Sequence, residues 1–124
     1  MTTDRPVFLE IWRIRLPLPA LVSILHRISG VLMVIAIPIV AWLFATALSG
    51  PEGFATAAAF VGNPLIRLGL LVMIWALLHH LIAGVRFLAI DLGWGVDRPM
   101  ARKTAKIAIY SALAMTVIGG GMLL

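Results

Sequence analysis

The chain has 124 residues, of which 62% are hydrophobic and 12% are charged, and its mean hydropathy is +1.09. A soluble domain of this size needs far more polar surface, so the composition excludes that class and indicates an integral membrane protein. The net charge of +5 does not indicate nucleic-acid binding, because the basic residues flank apolar stretches without interleaved aromatic residues. The absence of Cys excludes disulfides, iron–sulfur ligation by this chain and thioether-attached haem.

The N-terminal segment, residues 4–19, mixes apolar and charged side chains. Its Trp12, Arg13 and Arg15 suit the lipid headgroup layer, which predicts a short interfacial segment before the first membrane span. The first helix is predicted at about 21–48, with a kink at Pro38 that neighbouring helices can tolerate in lipid. The sequence SGPEG then ends this helix, and a short surface helix is predicted at 54–62.

The second helix is predicted at about 64–91 and the third at about 105–124, on either side of a polar connection. The stretches 28–48, 68–85 and 107–124 contain no formal charge, and each is long enough to cross a hydrocarbon core of about 30 Å. The prediction is a single all-α membrane-anchor domain, 1–124, with three transmembrane helices. Only short loops remain, so any chemistry must occur within the bilayer or in a partner.

The distribution of positive charge predicts the orientation of these helices. Cations are found before the first helix and in the connection before the third, at Arg5, Arg13, Arg15, Arg98, Arg102, Lys103 and Lys106. The loop between the first two helices carries only Glu52 before Arg67. Because short cytoplasmic loops are enriched in Lys and Arg, the N-terminus is predicted on the cytoplasmic (or matrix) side.

The first helix contains the polar sequence SILHRISG close to its cytoplasmic end. Ser23 and Arg27 are four residues apart and share a helix face, so together they could hold a carbonyl or a carboxylate. His26 lies beside Arg27 and aligns with Gly30. The alternative is an arginine that reaches to the membrane surface and a serine at a helix start.

The second helix contains two adjacent histidines, His79 and His80, near the middle of a span. His80 shares a face with Gly84, and a glycine one turn away leaves room for a flat macrocycle against the backbone. Neutral imidazole is a common axial ligand of haem iron. His79 points about 100° away and roughly shares a face with Arg86. A hydrogen bond to a neighbour is the alternative role for either imidazole.

Depths along the helices suggest how these groups relate to haem. At about 1.5 Å per residue, Ser23 to Arg27 lie about 3–9 Å below the start of the first helix near Leu21. His80 lies about 16 Å from Asp91, so His26 is expected about 8–12 Å nearer the surface than the iron ligand. Cations at that height could neutralise haem propionates. Asp91 is expected to pair with Arg86 in preference to relaying protons.

Two motifs together resemble the cytochrome b subunit of succinate dehydrogenase. SILHRIS at 23–29 is similar to S-x-x-H-R-x-[ST], and HLIAGVRFLAIDLG at 80–93 is similar to H-x-x-x-G-x-R-[HF]-x-x-x-D. The resemblance covers essentially the whole chain, including RPV at 5–7 and the SGPEGF loop. Phe87 stands where many relatives have a second His, and Ile90 departs from the usual aromatic residue or Met.

The resemblance implies a membrane anchor that couples succinate oxidation to quinone reduction, in electron transport and the tricarboxylic acid cycle. It implies His80 as one axial ligand of haem b, His26 and Arg27 as propionate contacts, and Ser23 and Arg27 as lining of a ubiquinone pocket. Gly84, Arg86 and Asp91 are expected to support this site.

The same resemblance implies the partners and the location of the chain. The implied partners are a smaller haem-binding anchor subunit that supplies the second axial ligand, an iron–sulfur subunit, a flavoprotein subunit and the lipid bilayer. It also admits a trimer of complexes. The implied location is a bacterial cytoplasmic (inner) membrane, which the chain crosses several times. The chain itself is expected to carry no succinate site.

Three alternative functions stay open from the sequence. The chain could anchor a quinol:fumarate reductase, in which the same residues serve electron transfer in the reverse direction. It could be a small proton relay or transporter without a cofactor, built on His79, His80 and Arg86. It could also be a purely structural anchor. Haem colour that depends on His80 would distinguish the predicted function from the proton relay, and quinone reductase activity and assembly left intact by His80→Ala would support the structural anchor.

Overall fold

The computed structural model of the chain describes residues 14–122, so most of the predicted interfacial segment lies outside the described residues. Within that range the chain is entirely helical and consists of α1 (Leu18–Leu48), α2 (Pro51–Gly62), α3 (Pro64–Asp91) and α4 (Arg98–Gly121). Three of these helices, α1, α3 and α4, are long and apolar enough to cross a membrane. The predicted all-α fold with three transmembrane helices is therefore confirmed.

Side-chain caps and prolines explain where the later helices begin. The Asn63 side-chain oxygen accepts a hydrogen bond from the Leu65 N–H at 2.9 Å, and Pro64 opens α3. The Asp97 carboxylate accepts a hydrogen bond from the Met100 N–H at 3.3 Å. Asp97 is the N-cap residue of α4, which begins at Arg98. This start precedes the predicted one near 105, because the prediction followed hydropathy and a helix can extend beyond the hydrocarbon core with polar first turns.

The middle helix in the packing order is α3, which lies against both α1 and α4. Its buried residues recur every three or four positions, so they form one face: Ala76, His79, Ala83 and Arg86. The buried face of α4 consists of small residues, Ala105, Ala108, Ala112 and Gly120. Small residues at helix interfaces allow close backbone approach in membranes, which explains how the polar residues of α3 come to be enclosed.

The first helix runs without interruption through Pro38, and α2 folds back against its C-terminal part. The Trp42 and Phe60 rings meet edge to face, with centroids 5.6 Å apart. At the other end of α1, Val22 packs with Ala83 and Ala105 in a small core shared by all three long helices. This core fixes the part of α1 that contains the SILHRIS sequence.

Candidate functional site

The contact between α1 and α3 brings the two histidine motifs together. The imidazole rings of His26 and His80 are stacked, with centroids 4.0 Å apart and an interplanar angle of 13°. Phe87 meets the His26 ring edge to face, with centroids 5.2 Å apart. Two segments more than fifty residues apart therefore form one aromatic cluster at the helix interface.

A hydrogen-bond network joins His80 to the backbone of α1. Nδ1 of His80 lies 3.1 Å from the carbonyl oxygen of His26 and 3.2 Å from Oγ of Ser29. The Ser29 hydroxyl itself donates to the same His26 carbonyl at 2.8 Å. Because a carbonyl oxygen can only accept, the short contact to His26 requires the hydrogen of the neutral His80 ring to be on Nδ1.

This tautomer matters for metal binding. A neutral imidazole with hydrogen on Nδ1 has an unprotonated Nε2, the atom through which it can bind iron. Within residues 14–122, Nε2 of His80 makes no hydrogen bond. Stacking with His26 engages the faces of the ring and leaves the in-plane lone pair uncommitted. The donor chemistry of His80 therefore fits an axial haem ligand.

Two glycines permit the close approach of these rings. A Cβ added to Gly30 would lie 3.0 Å from Cε1 and 3.5 Å from Nδ1 of His80, which is tighter than ordinary packing. A Cβ added to Gly84 would lie 3.5 Å from Nε2 of His26, an ordinary contact. Gly30, more than Gly84, is thus required by the position of the His80 ring.

The predicted difference in depth of 8–12 Å between His26 and His80 is wrong, since their ring centroids are only 4.0 Å apart. The prediction measured depth from a helix start near Leu21, whereas α1 begins at Leu18. At about 1.5 Å per residue, this earlier start puts His26 about 4–5 Å further from the beginning of the helix than the prediction assumed. The two histidines occupy one layer of the structure.

Within residues 14–122, neither Ser23 nor Arg27 forms a side-chain hydrogen bond to this cluster. Arg27 is exposed and Ser23 is half-buried, whereas Val22 and Ser29 are the buried residues of α1. Among the residues that the structure describes, no hydrogen bond or ion pair holds Arg27, which borders a shallow apolar groove formed with Ile28, Val31 and Leu32. The pair therefore occupies a face of α1 that is open to a partner or a ligand.

Arg86 is buried, with 8% of its surface exposed, and its hydrogen bonds are to α4. Its Nε donates to Oγ of Thr104 at 3.0 Å, and its NH2 group donates to the carbonyl oxygen of Ala101 at 3.1 Å. In the described part of the chain no ion pair joins Arg86 to Asp91, which is exposed at the end of α3. The expected ion pair is therefore wrong, because α4 begins early enough to offer Arg86 nearer acceptors.

His79 is also enclosed, with 1% of its surface exposed, and its ring stacks on Trp75 with centroids 5.3 Å apart. Its Nε2 is buried and has no hydrogen-bond partner among the described residues. The adjacent histidines thus have different surroundings: His80 is half-buried beside α1, whereas His79 is enclosed by the helix packing. Of the two, His80 is the more accessible to a ligand.

No group of three or more His, Asp or Glu side chains within 14–122 could hold a metal ion by itself. Iron bound through His80 would therefore need most of its ligands from elsewhere, as haem provides. The sequence reasoning gave no role to Ser29 or Thr104. Ser29 could have been identified from its spacing, since it closes the SILHRIS motif one helical turn after His26.

Comparisons with known proteins indicate the family of the chain. The family model described as "Succinate dehydrogenase/Fumarate reductase transmembrane subunit" matches residues 1–119. Two relatives named "Succinate dehydrogenase cytochrome b556 subunit" are each 34% identical to the chain. The relative from Paracoccus denitrificans aligns over 115 residues, 93% of this chain and 88% of its own length. The one from Coxiella burnetii aligns over 121 residues, 96% of this chain and 97% of its own.

A third relative of the same name, from Rickettsia felis, is 27% identical over 104 residues, 84% of this chain and 81% of its own length. Each match thus extends over more than four fifths of this chain and of the relative. The family match, residues 1–119, spans both histidine motifs. The chain therefore belongs to the family of succinate dehydrogenase/fumarate reductase transmembrane subunits.

Proposed function

We propose that this chain is the haem b-binding membrane anchor of a succinate:quinone oxidoreductase and that His80 is one axial ligand of the iron. The observation that carries the proposal is the hydrogen bonding of His80, whose Nδ1 is held by α1 while Nε2 makes no hydrogen bond within residues 14–122. The name cytochrome b556, borne by the relatives, supports haem b as the group. When bound, haem supplies a one-electron carrier inside the membrane.

The second axial ligand comes from the smaller anchor subunit in this proposal, since the described residues offer no second histidine free for the iron. His79 is enclosed, and His26 lies parallel to His80. The flavoprotein and iron–sulfur subunits perform succinate oxidation and are held at the membrane by the two anchors. The N-terminus faces the cytoplasm of a bacterial cell, and the helices cross its inner membrane.

Ser23 and Arg27 form this chain's part of the ubiquinone site. The Ser23 hydroxyl donates a hydrogen bond to a quinone carbonyl, and the Arg27 guanidinium stabilises the negative charge that develops as electrons arrive. The exposure of Arg27 supports this role, because a side chain already bound within the fold could not meet a quinone. Protons reach the site from the cytoplasmic side, which it adjoins.

Arg27 and His26 are also proposed to contact the haem propionates. Arg27 can reach such a group from the exposed face of α1, and a guanidinium binds carboxylates in a bidentate manner. His26 can donate through a ring N–H, because its stacking with His80 engages the faces of the ring and not its in-plane nitrogens. A charged propionate is stable at this depth only beside such donors.

The family description covers quinol:fumarate reductases as well, so an anchor of such an enzyme is the second candidate. The residues of the site would have the same roles, but electrons would pass from quinol to fumarate. Comparing the rates of succinate-driven quinone reduction and quinol-driven fumarate reduction by the purified complex distinguishes the two. A faster succinate-driven reaction supports the first proposal, and the reverse supports the second.

The test of haem binding is a reduced-minus-oxidised spectrum of the purified complex. We expect a haem b signal that disappears in His80→Ala, because the substitution removes the iron ligand. The matched control is His79→Phe, which keeps an aromatic ring against Trp75 and should retain the signal. A spectrum unchanged by His80→Ala, in a complex that still contains all its subunits, would reject the assignment.

A further inference from the structure

We infer that Ser29 is a positioning residue that fixes the tautomer and orientation of His80 and thereby tunes the reduction potential of the haem. The inference rests on the proposed function of His80. Ser29 is fully buried, at 0% exposure, although it is a polar residue in a membrane helix. A buried hydroxyl is costly in such a setting unless its hydrogen bonds are satisfied, so its partners indicate its role.

The two hydrogen bonds of Ser29 determine which group donates and which group accepts in each of them. Its O–H donates to the carbonyl oxygen of His26 at 2.8 Å, so its own hydrogen is committed to α1. At the 3.2 Å contact with His80, Oγ therefore acts as the acceptor and Nδ1 as the donor. The same Nδ1 hydrogen is shared with the His26 carbonyl at 3.1 Å, which forms a three-centred arrangement.

This arrangement matches the way proteins usually support a metal-ligating histidine. An acceptor on the second ring N–H fixes the tautomer and the ring orientation, and it raises the basicity of the ligating nitrogen. A more basic ligand stabilises ferric iron over ferrous iron and so lowers the reduction potential. Ser29 and the His26 carbonyl share this role, with Gly30 leaving the space in which the His80 ring meets them.

The experiment measures the haem midpoint potential in the assembled complex by spectroelectrochemical titration. In Ser29→Ala one of the two acceptors is lost, so the potential should rise. We expect the ferrous:ferric ratio at the wild-type midpoint to increase about threefold, which is about 28 mV because a tenfold change is 59 mV for one electron. The control is Ser111→Ala on α4, whose hydroxyl donates only to carbonyls of its own helix.

An isosteric pair separates hydrogen bonding from packing. Ser29→Thr keeps the hydroxyl, and Ser29→Val has the shape of the Thr variant without it, so the two variants differ only in the hydroxyl that contacts the His26 carbonyl and Nδ1 of His80. We expect the potential of the Thr variant to stay near that of the wild type and the Val variant to follow Ser29→Ala. Equal potentials for the Thr and Val variants would overturn the inference even if Ser29→Ala failed to assemble.

Failure of this inference can be told apart from failure of the proposed function. If haem is absent, or its spectrum survives His80→Ala, the haem assignment itself is wrong. If the haem depends on His80 and the potential in Ser29→Ala is unchanged, only the role of Ser29 is refuted. A potential shift of the same size in Ser111→Ala would also refute it, because that hydroxyl has no contact with His80.

Discussion

The imidazole rings of His26 and His80 lie parallel, 4.0 Å apart, although the two residues come from different membrane helices. Each ring has a further contact: His80 forms hydrogen bonds to α1, and His26 makes an edge-to-face contact with Phe87. The iron ligand proposed here is therefore oriented by aromatic packing as well as by hydrogen bonds. Each kind of contact can be removed separately.

Removal of the aromatic packing should weaken haem retention without abolishing it. An aromatic pair contributes about 0.5–1.5 kcal/mol beyond area burial, which corresponds to about a two- to tenfold change in an equilibrium. His26→Ala is therefore expected to speed haem loss from the detergent-solubilised complex by about two- to tenfold. The measurement is the decay of the haem absorbance with time.

The matched control is Phe60→Ala, which removes the aromatic contact with Trp42 away from the histidine cluster. Its rate of haem loss should equal that of the wild type. If His26→Ala also retains haem at the wild-type rate, the stacked pair does not support the ligand. If haem is lost completely, the propionate contact proposed for His26 contributes more to haem retention than the stacking does.

Crowding of the ligand can be tested at Gly30. A Cβ at this position would lie 3.0 Å from Cε1 of His80, so Gly30→Ala must displace the ring or the helix. We expect a haem:protein ratio at least about twofold below the wild type in the purified complex, because a displaced imidazole meets iron in a poorer geometry.

Gly69→Ala on α3 is the control for this substitution, since a Cβ there has no other atom within 4 Å. It should leave the haem content unchanged, and its better helix propensity should be harmless. A full haem complement in Gly30→Ala would mean that the contact relaxes without cost, contrary to the close packing between α1 and α3.

From the sequence we predicted the three spans, and we predicted that both histidine motifs lie in the same half of the membrane. Both predictions are possible because hydropathy and helix periodicity are local properties of the chain. It did not predict how deep each residue lies, since a depth estimate depends on where a helix begins. The prolines and the Asp97 cap set those starts, and an uncertainty of three residues changes a depth by about 4–5 Å.

Tertiary contacts explain the other differences between the sequence-based predictions and the structure. Asp91 was the natural sequence partner for Arg86, four or five residues away on one helix, but the fold offers Thr104 and the Ala101 carbonyl on α4. Nothing in a single helix indicates that choice. The role of Ser29 likewise depends on His80, which lies 51 residues away in the chain.

The contact between Arg86 and Thr104 should contribute to the stability of the helix bundle. A hydrogen bond to a charged group contributes about 1.5–3 kcal/mol, and Arg86 is buried. Thr104→Val removes the acceptor and keeps the shape, so the midpoint temperature for loss of the folded complex should fall by several degrees. Circular dichroism of the detergent-solubilised complex measures this change.

Thr46→Val provides the comparison, because the Thr46 hydroxyl donates only to the Trp42 carbonyl of its own helix. Its midpoint should differ from that of the wild type by less than that of Thr104→Val. Thr104→Ser, which retains the acceptor, should behave more like the wild type. Equal effects of the two valine substitutions would show that the link between α3 and α4 adds no stability.

The exposed Arg27 should be needed for quinone reduction but not for succinate oxidation. Loss of one preorganised donor to a developing negative charge typically lowers a rate by about 10²–10³-fold. Arg27→Ala is expected to reduce succinate:quinone reductase activity by about that factor. Succinate oxidation with a soluble acceptor should stay unchanged, because that acceptor takes the electrons before they reach the membrane. Arg67→Ala, in the first turn of α3, should leave both activities intact. Parallel loss of both activities in Arg27→Ala would instead indicate failed assembly, and unaltered quinone reduction would exclude Arg27 from the site.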